Sequence, residues 1–346
     1  MLNRSHRGAI VANPAVFSTD WVPADFHSRD AELEAMATAL EPILDGDPAT
    51  GLFLHGPSGT GKTSSSHYLL DKLREHAADL ETATVNCWSN HSRYRVLRAI
   101  VAELEAVSAT TTDHAAAALR AALETVETPT VVILDEADQL DEPEVLYDLY
   151  EEPRLQVVAT ANTKRDVLLG LDERIQSRLH TFQDVHFAPY TADELRPILD
   201  QRVAHGLQPG AISHDLVGDI ARAANGDART AIATLQAAAR QAIEDGTDRI
   251  EPEHVATAIE TAGRTVRRET LERLNDHQRA IYELVAEAPQ SPGEIYEGYR
   301  ERMAEPRSRR TVRKYVRKLE QYDLLVASGQ AQSREYRLRE DAPRPE

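Results

Sequence analysis

Apolar residues recur along this chain at two spacings, and the switch between them divides it. Residues 28–44 carry Leu33, Met36, Leu40, Ile43 and Leu44 at helical intervals, with Ser28 placed to cap the first turn. A short apolar run at 51–55 then leads through a glycine-rich turn into a helical segment at 62–75. Two further apolar runs, 130–134 and 155–160, read as strands buried on both faces, with a weaker one at 84–86. Helical patterns at 94–107 and 115–126 fill the intervals. Strands alternating with helices predict a parallel α/β sheet. After Pro189 the pattern is purely helical, at 192–205, 214–224, 228–244 and 252–261, and 263–268 reads as a linker. Three more helices follow at 276–288, 291–303 and 308–322, and two short alternating runs, 324–327 and 335–339, predict a hairpin. The expected domains are an α/β base at 1–190, a helical domain at 191–264 and a helix-plus-hairpin domain at 265–346.

Composition narrows the chemistry. The chain has 346 residues, 41% hydrophobic but only 5% aromatic, so its cores must be aliphatic. One cysteine, Cys87, excludes an intramolecular disulfide and a cysteine-rich zinc site. No run approaches the length of a membrane span, so the expectation is a soluble cytoplasmic protein with no membrane partner. Lys+Arg total 39 and Asp+Glu 57, for a net charge of −18, and only five of the basic residues are lysine. An acidic, lysine-poor surface fits life in high salt, where carboxylates hold water and screening removes their repulsion. Residues 265–346 depart from this with 17 basic groups against 15 acidic, and nine basic residues fall within 300–318 against two acidic ones. A polyanionic partner would meet that end of the chain.

Gly56-Pro57-Ser58-Gly59-Thr60-Gly61-Lys62-Thr63 matches the phosphate-binding pattern G-x-x-x-x-G-K-[ST] in full, between a predicted strand and a predicted helix. Backbone amides of such a loop turn toward phosphate oxygens, and the following helix, with Ser64 in its first turn, adds its positive end. Lys62 would reach the β- and γ-phosphates of ATP or ADP, and Thr63 would bind Mg²⁺. Val131-Val132-Ile133-Leu134-Asp135-Glu136 ends a strand in two carboxylates: Asp135 to hold Mg²⁺, Glu136 to polarise the attacking water. Asn162 ends the third strand and would help place that water. Arg174 and Arg178, four apart on one helix face, could reach a neighbouring subunit's phosphate. Gly226-Asp227-Ala228-Arg229 opens a helix whose Arg229 could reach back toward nucleotide.

In this order, these motifs resemble an AAA+ ATPase: a P-loop parallel sheet between helices, a helical lid and a C-terminal winged-helix domain. More narrowly, the chain is similar to the archaeal origin-recognition and replication-initiator family, relatives of the eukaryotic origin recognition complex and its helicase-loading partner. The closer signs are Val22-Pro23, Phe26-His27-Ser28-Arg29-Asp30, Val85-Asn86-Cys87, Tyr94-Arg95-Val96-Leu97, Asp135-Glu136-Ala137-Asp138 and Phe187-Ala188-Pro189-Tyr190. The resemblance implies that the segment bearing Val22, Pro23 and Arg29 cradles adenine, that Arg178 is a finger in trans, and that Arg229 senses nucleotide. It implies origin DNA, the replicative helicase and other initiator subunits as partners. Phe26 stands where the family has proline, Asp30 replaces a glutamate, and 108–113 lacks a longer proline-glycine-tryptophan connection.

In the last helix Val312, Val316 and Leu319 face a core while Arg309, Arg310, Arg313, Lys314, Arg317 and Lys318 stand on the other side, with Ser308 as cap. A basic-faced helix before a hairpin whose tip, 329–333, is followed by Arg334 reads as a winged helix on double-stranded DNA. The leading function is an ATP-dependent replication initiator that hydrolyses slowly, as a switch. The alternatives are a clamp-loader-like motor with continuous turnover and a DNA-binding regulator with a structural nucleotide.

Overall fold

A computed structural model describes residues 10–18, 21, 23, 26–45, 47, 50–77, 79–104, 116–168, 171–329, 334–339 and 342–344. Val22, segment 108–113 and the hairpin tip at 330–333 lie outside the described residues. Two compact units result: residues 18–201 with 225–228, and residues 1–17, 202–224 and 229–346.

The first unit is built on β1 (Leu52–His55), β2 (Glu81–Asn86), β3 (Thr130–Asp135), β4 (Leu155–Ala161) and β5 (Gln183–His186). All pair in parallel, in the order β2-β3-β4-β1-β5. Successive side chains alternate across the sheet, so each strand feeds two cores. Val131 and Ile133 join Met36, Leu40, Leu69 and Leu73 from α1 (Asp30–Leu40) and α2 (Lys62–His76). Val132 and Leu134 face Val96, Leu97, Ile100, Leu119 and Leu123 from α3 (Arg93–Glu103) and α4 (Ala116–Leu123). Short helices α5 (Val145–Tyr150), α6 (Lys164–Leu168) and α7 (Glu173–Leu179) complete this unit, with α8 (Ala192–Gly206) continuing the chain.

The expected parallel sheet is present, with three differences. The edge strand β5 has no run to announce it: among its four residues only Val185 is buried. Strand β2 starts three residues earlier than its apolar signal, at Glu81. Ser28 does not cap α1; the N-cap is Arg29, and Ser28, at φ +65°, donates its hydroxyl hydrogen to the Glu194 carbonyl.

In the second unit α9 (His214–Ala223) and α10 (Ala228–Glu244) come before α11 (Pro252–Arg273), and α9 packs on α11. Helix α11 runs unbroken through the expected linker at 263–268, since Gly263 alone does not stop a helix whose Val255, Ala258, Ala262 and Arg267 are all buried. The expected domain boundary at 264/265 therefore falls inside a helix. Then come α12 (Asp276–Glu287), α13 (Pro292–Arg302), α14 (Arg309–Gln321) and an antiparallel ribbon of β6 (Leu325–Ser328) and β7 (Glu335–Leu338). Capping boxes at Asn275/Gln278 and Ser291/Glu294 start α12 and α13. Gln290 pairs with Tyr336, adding a one-residue third strand to the ribbon.

Candidate functional site

Ligands of open parallel sheets bind beyond the carboxyl ends of the strands, and the predicted motifs converge there. The loop after β1 carries three left-handed or extended glycines that tolerate no side chain: a Cβ on Gly56 would strike the Phe187 carbonyl, on Gly59 (φ +73°) the Asp227 carboxylate, and on Gly61 (φ +91°) the Tyr190 hydroxyl. Pro57, Ser58 and Thr60 complete the loop; Thr60 is buried and its hydroxyl donates to the Pro57 carbonyl at 2.9 Å. Lys62, the first residue of α2, is buried, and its ammonium donates to the Gly56 and Pro57 carbonyls at 2.6 and 2.8 Å. A lysine held inside a ring of backbone groups is a point charge at the place a phosphate chain would thread.

The next strand end is tied to this loop directly. The Thr63 hydroxyl donates to Asp135 Oδ1 at 2.8 Å, and the Thr160 hydroxyl donates to the same oxygen at 2.6 Å. The Glu136 amide then donates to the Thr160 hydroxyl at 2.9 Å. Glu136 sits at φ +56°, a conformation costing a non-glycine residue roughly 1–3 kcal/mol, so the surrounding bonds fix it against its preference. Asn162 is half-buried, and its amide donates to the buried Asp138 carboxylate at 3.2 Å, which places the loop that carries it.

Arg29 makes contacts beyond its expected part in an adenine cradle. It is 4% exposed, and its guanidinium donates to the Thr60 carbonyl, the Ala188 carbonyl and Glu32, at 3.1, 2.5 and 2.7 Å, while lying 3.8 Å from the Tyr190 ring centroid. These contacts fasten the start of α1 to the phosphate loop and to the chain after β5. Pro23 lies among the described residues, half-buried.

The start of the lid helix is also tied in. The Ala228 amide donates to the Gly59 carbonyl at 2.9 Å, and the Gly226 carbonyl accepts from the Tyr190 amide at 3.1 Å. Arg229 follows in the first turn of α10 and is half-buried. On α7 both Arg174 and Arg178 are exposed, and Arg178 lies over the Tyr147 ring at 5.4 Å.

Residues 26–160 match the family model of the AAA ATPase domain, and residues 196–260 that of the Cdc6 AAA+ ATPase-type lid domain. Over 334 residues the chain is 37% identical to ORC1-type DNA replication protein 9 of Halobacterium salinarum, spanning 95% of this chain and 94% of that one. The chain belongs to the ORC1-type family. It is 35% identical over 310 residues to ORC1-type DNA replication protein 1 of the same organism, 88% of this chain and all of that one. Among solved structures it resembles the Aeropyrum pernix ORC1 protein in complex with DNA, at TM-score 0.72 and 28% identity over 95% of this chain and 94% of that chain. ORC1-type membership confirms the expected AAA+ fold with its Cdc6-type lid, and ATPase activity in general comes with it.

This ORC1-type chain also contains working parts that motif reading passes over. Thr160 joins Asp135 to Glu136; its one sequence signal is a hydroxyl inside a strand whose seven residues are all buried. Asp227 reads from sequence as a cap, yet its carboxylate lies against Gly59. On α14, Ser308 accepts from the Thr311 amide as the expected cap, and Val312, Tyr315, Val316 and Leu319 are buried. Arg309, Arg310, Arg313 and Arg317 are exposed and Lys314 is half-buried. Lys318 is a correction: it is 3% exposed, its ammonium 5.5 Å from the Tyr322 ring, so it belongs with the packed side of the helix rather than the open basic face. Arg334 is half-buried and paired with Glu320 at 3.1 Å, which joins the ribbon to α14.

The residues present fit a nucleotide with Mg²⁺: a loop that only glycines can form, a lysine held within it, and a hydroxyl–carboxylate pair of the kind that coordinates a hard cation.

Proposed function

We propose that this protein is an ATP-controlled, DNA-binding replication initiator: it recognises origin DNA, and its nucleotide state governs engagement with that DNA and with the replicative helicase and other initiator subunits. One observation carries the reading. In an ORC1-type chain of net charge −18, one face of α14 exposes four arginines while its other face is buried against α12 and β6. A patch that resists the chain's own acidic bias is an electrostatic footprint for phosphates. The solved relative with DNA bound supports the same partner. The segment from α12 onward then acts as a winged helix, 1–190 as the ATPase base and the helices from 191 through α11 as the lid.

Held by Thr63 and Asp135, Mg²⁺ would neutralise charge on the β- and γ-phosphates. Lys62 and the loop amides from Gly56 to Ser64 would bind the phosphates, with Val22, Pro23 and Arg29 on the adenine side. Glu136 would take the proton of the attacking water, with Asn162 orienting that water. Arg178 would act on a neighbouring copy's nucleotide, with Arg174 beside it, and Arg229 would report nucleotide to the lid. Turnover is slow, because a switch works by differential affinity between states. Among the described residues no helix is long and apolar enough to cross a membrane. The Halobacterium relatives agree with an acidic surface for high salt. We place the protein in the cytoplasm, on the nucleoid.

Mapping the DNA bound by the protein across its genome tests this. Occupancy concentrated at a few loci where replication starts is the expected result; uniform occupancy, or sites at promoters alone, overturns the origin assignment.

A further inference from the structure

The opposite pole of the sheet holds a second site. Gly51 precedes β1, Leu155 starts β4 and Phe182 precedes β5, and these amino-terminal strand ends surround a cavity of about 290 Å³. Tyr150 and Phe182 form its aromatic walls, their ring centroids 6.1 Å apart, and Thr50 and Gln156 contribute polar groups. Glu152 lines it too. This residue is 8% exposed, and among the described residues its carboxylate enters no hydrogen bond or ion pair.

Its neighbours are paired. Asp148 binds Arg93 at 2.5 Å and Arg120 at 3.3 Å, and Glu151 binds Arg120 at 3.0 Å. Burial and the nearby Glu124, Glu151 and Asp148 push the Glu152 carboxyl above its ordinary range, against the opposing pull of Arg120. Withdrawing a carboxylate from water without a hydrogen-bonded partner is costly, and Arg120, the cation that pulls on it, is itself paired with Asp148 and Glu151. The rings beside it attract cations through their faces. An anion would be repelled, and a neutral apolar guest would leave the carboxylate unpaired. The volume is at the small end of ligand pockets.

We propose that this cavity binds an organic cation: a primary ammonium or guanidinium group on a short aliphatic stem, held by Glu152 beside Tyr150 and Phe182. Such a group comes either from a free amine or from a lysine or arginine side chain of a partner polypeptide. The proposal does not depend on the nucleotide reading.

Saturation-transfer NMR on the full chain tests it, with n-butylammonium, methylguanidinium and the neutral n-butanol as probes. Transfer to both cations, mutual competition between them and at least a ten-fold weaker response to n-butanol are expected. Glu152→Gln should abolish the response, and Tyr150→Leu, a change at a partly exposed wall, should weaken it several-fold. A lysine- or arginine-centred tripeptide that displaces n-butylammonium at lower concentration than free amines do assigns the source to a polypeptide; the reverse order assigns it to a small amine. No transfer to either cation, n-butanol binding as well as they do, or an unchanged signal in a cooperatively melting Glu152→Gln overturns the proposal. If Glu152→Gln does not fold, an unchanged signal in Tyr150→Leu overturns it.

Discussion

Arg29 separates two accounts of the segment before α1. A residue that only cradles adenine would, when truncated, lose nucleotide affinity and leave stability alone. Here the guanidinium is buried and spent on Thr60, Ala188 and Glu32. Removing one member of a buried charged pair costs about 3–5 kcal/mol. Arg29→Ala should therefore lower the melting temperature measured without nucleotide, and Arg29→Lys should recover little, because an ammonium cannot replace a three-point fork. An unchanged melting temperature in Arg29→Ala would contradict the clamp. At this scale the sequence reveals groups that act through local spacing: Lys62, Thr63, Asp135 and Glu136 are legible because one loop and one strand end contain them. Thr160, Asp227 and the partners of Arg29 are not, because their roles arise from contacts between segments far apart in the chain.

Elements are legible where burial is two-sided or periodic. Strands β3 and β4 are buried at every position and announce themselves as apolar runs, whereas β5 buries one residue in four and is a strand because β1 offers it an edge. Helix α11 shows the converse error: a glycine among polar residues reads as a linker, but packing on both sides of Gly263 carries the helix through. Helix α14 follows its sequence pattern apart from Lys318, whose aliphatic stem lets a charged residue join the packed side. Replacing Arg309, Arg310, Arg313 and Arg317 by Ala should weaken DNA binding and reduce the slope of log K against log salt by about 0.9 for each phosphate that is no longer neutralised. A base-reading arginine among them would instead relax preference at one position, at about 1–3 kcal/mol. Titration across salt decides; an identical slope and affinity would mean that α14 does not touch DNA.

For the whole molecule, two charge facts matter together. The chain as a whole repels polyanions at −18, and its last 82 residues do not, so DNA binding has to be local and, in high salt, must lean on base contacts and shape. Arg178, exposed on α7 over Tyr147, is the residue proposed to act between copies. An arginine supplied in trans is worth about 10³–10⁵ in rate. Arg178→Ala should bind ATP as the parent does, lose assembly-dependent hydrolysis, and regain part of it when mixed with Lys62→Ala protein. No recovery in the mixture, with unaltered hydrolysis by Arg178→Ala alone, would reject a shared site.

Nucleotide state should control DNA engagement, and DNA affinity measured with ATP and with ADP is the decisive comparison. Coupling between two sites is typically worth about 1–3 kcal/mol, or 5- to 150-fold. The parent should show a difference of that size between ATP and ADP, and its ATP value should drift toward the ADP value as hydrolysis proceeds. Glu136→Gln, which removes the group proposed to act on the attacking water but none proposed to bind phosphate, should hold the ATP value without drift. Lys62→Ala should give one affinity under both nucleotides. Equal affinity of the parent for DNA in ATP and in ADP would mean that nucleotide does not control DNA engagement.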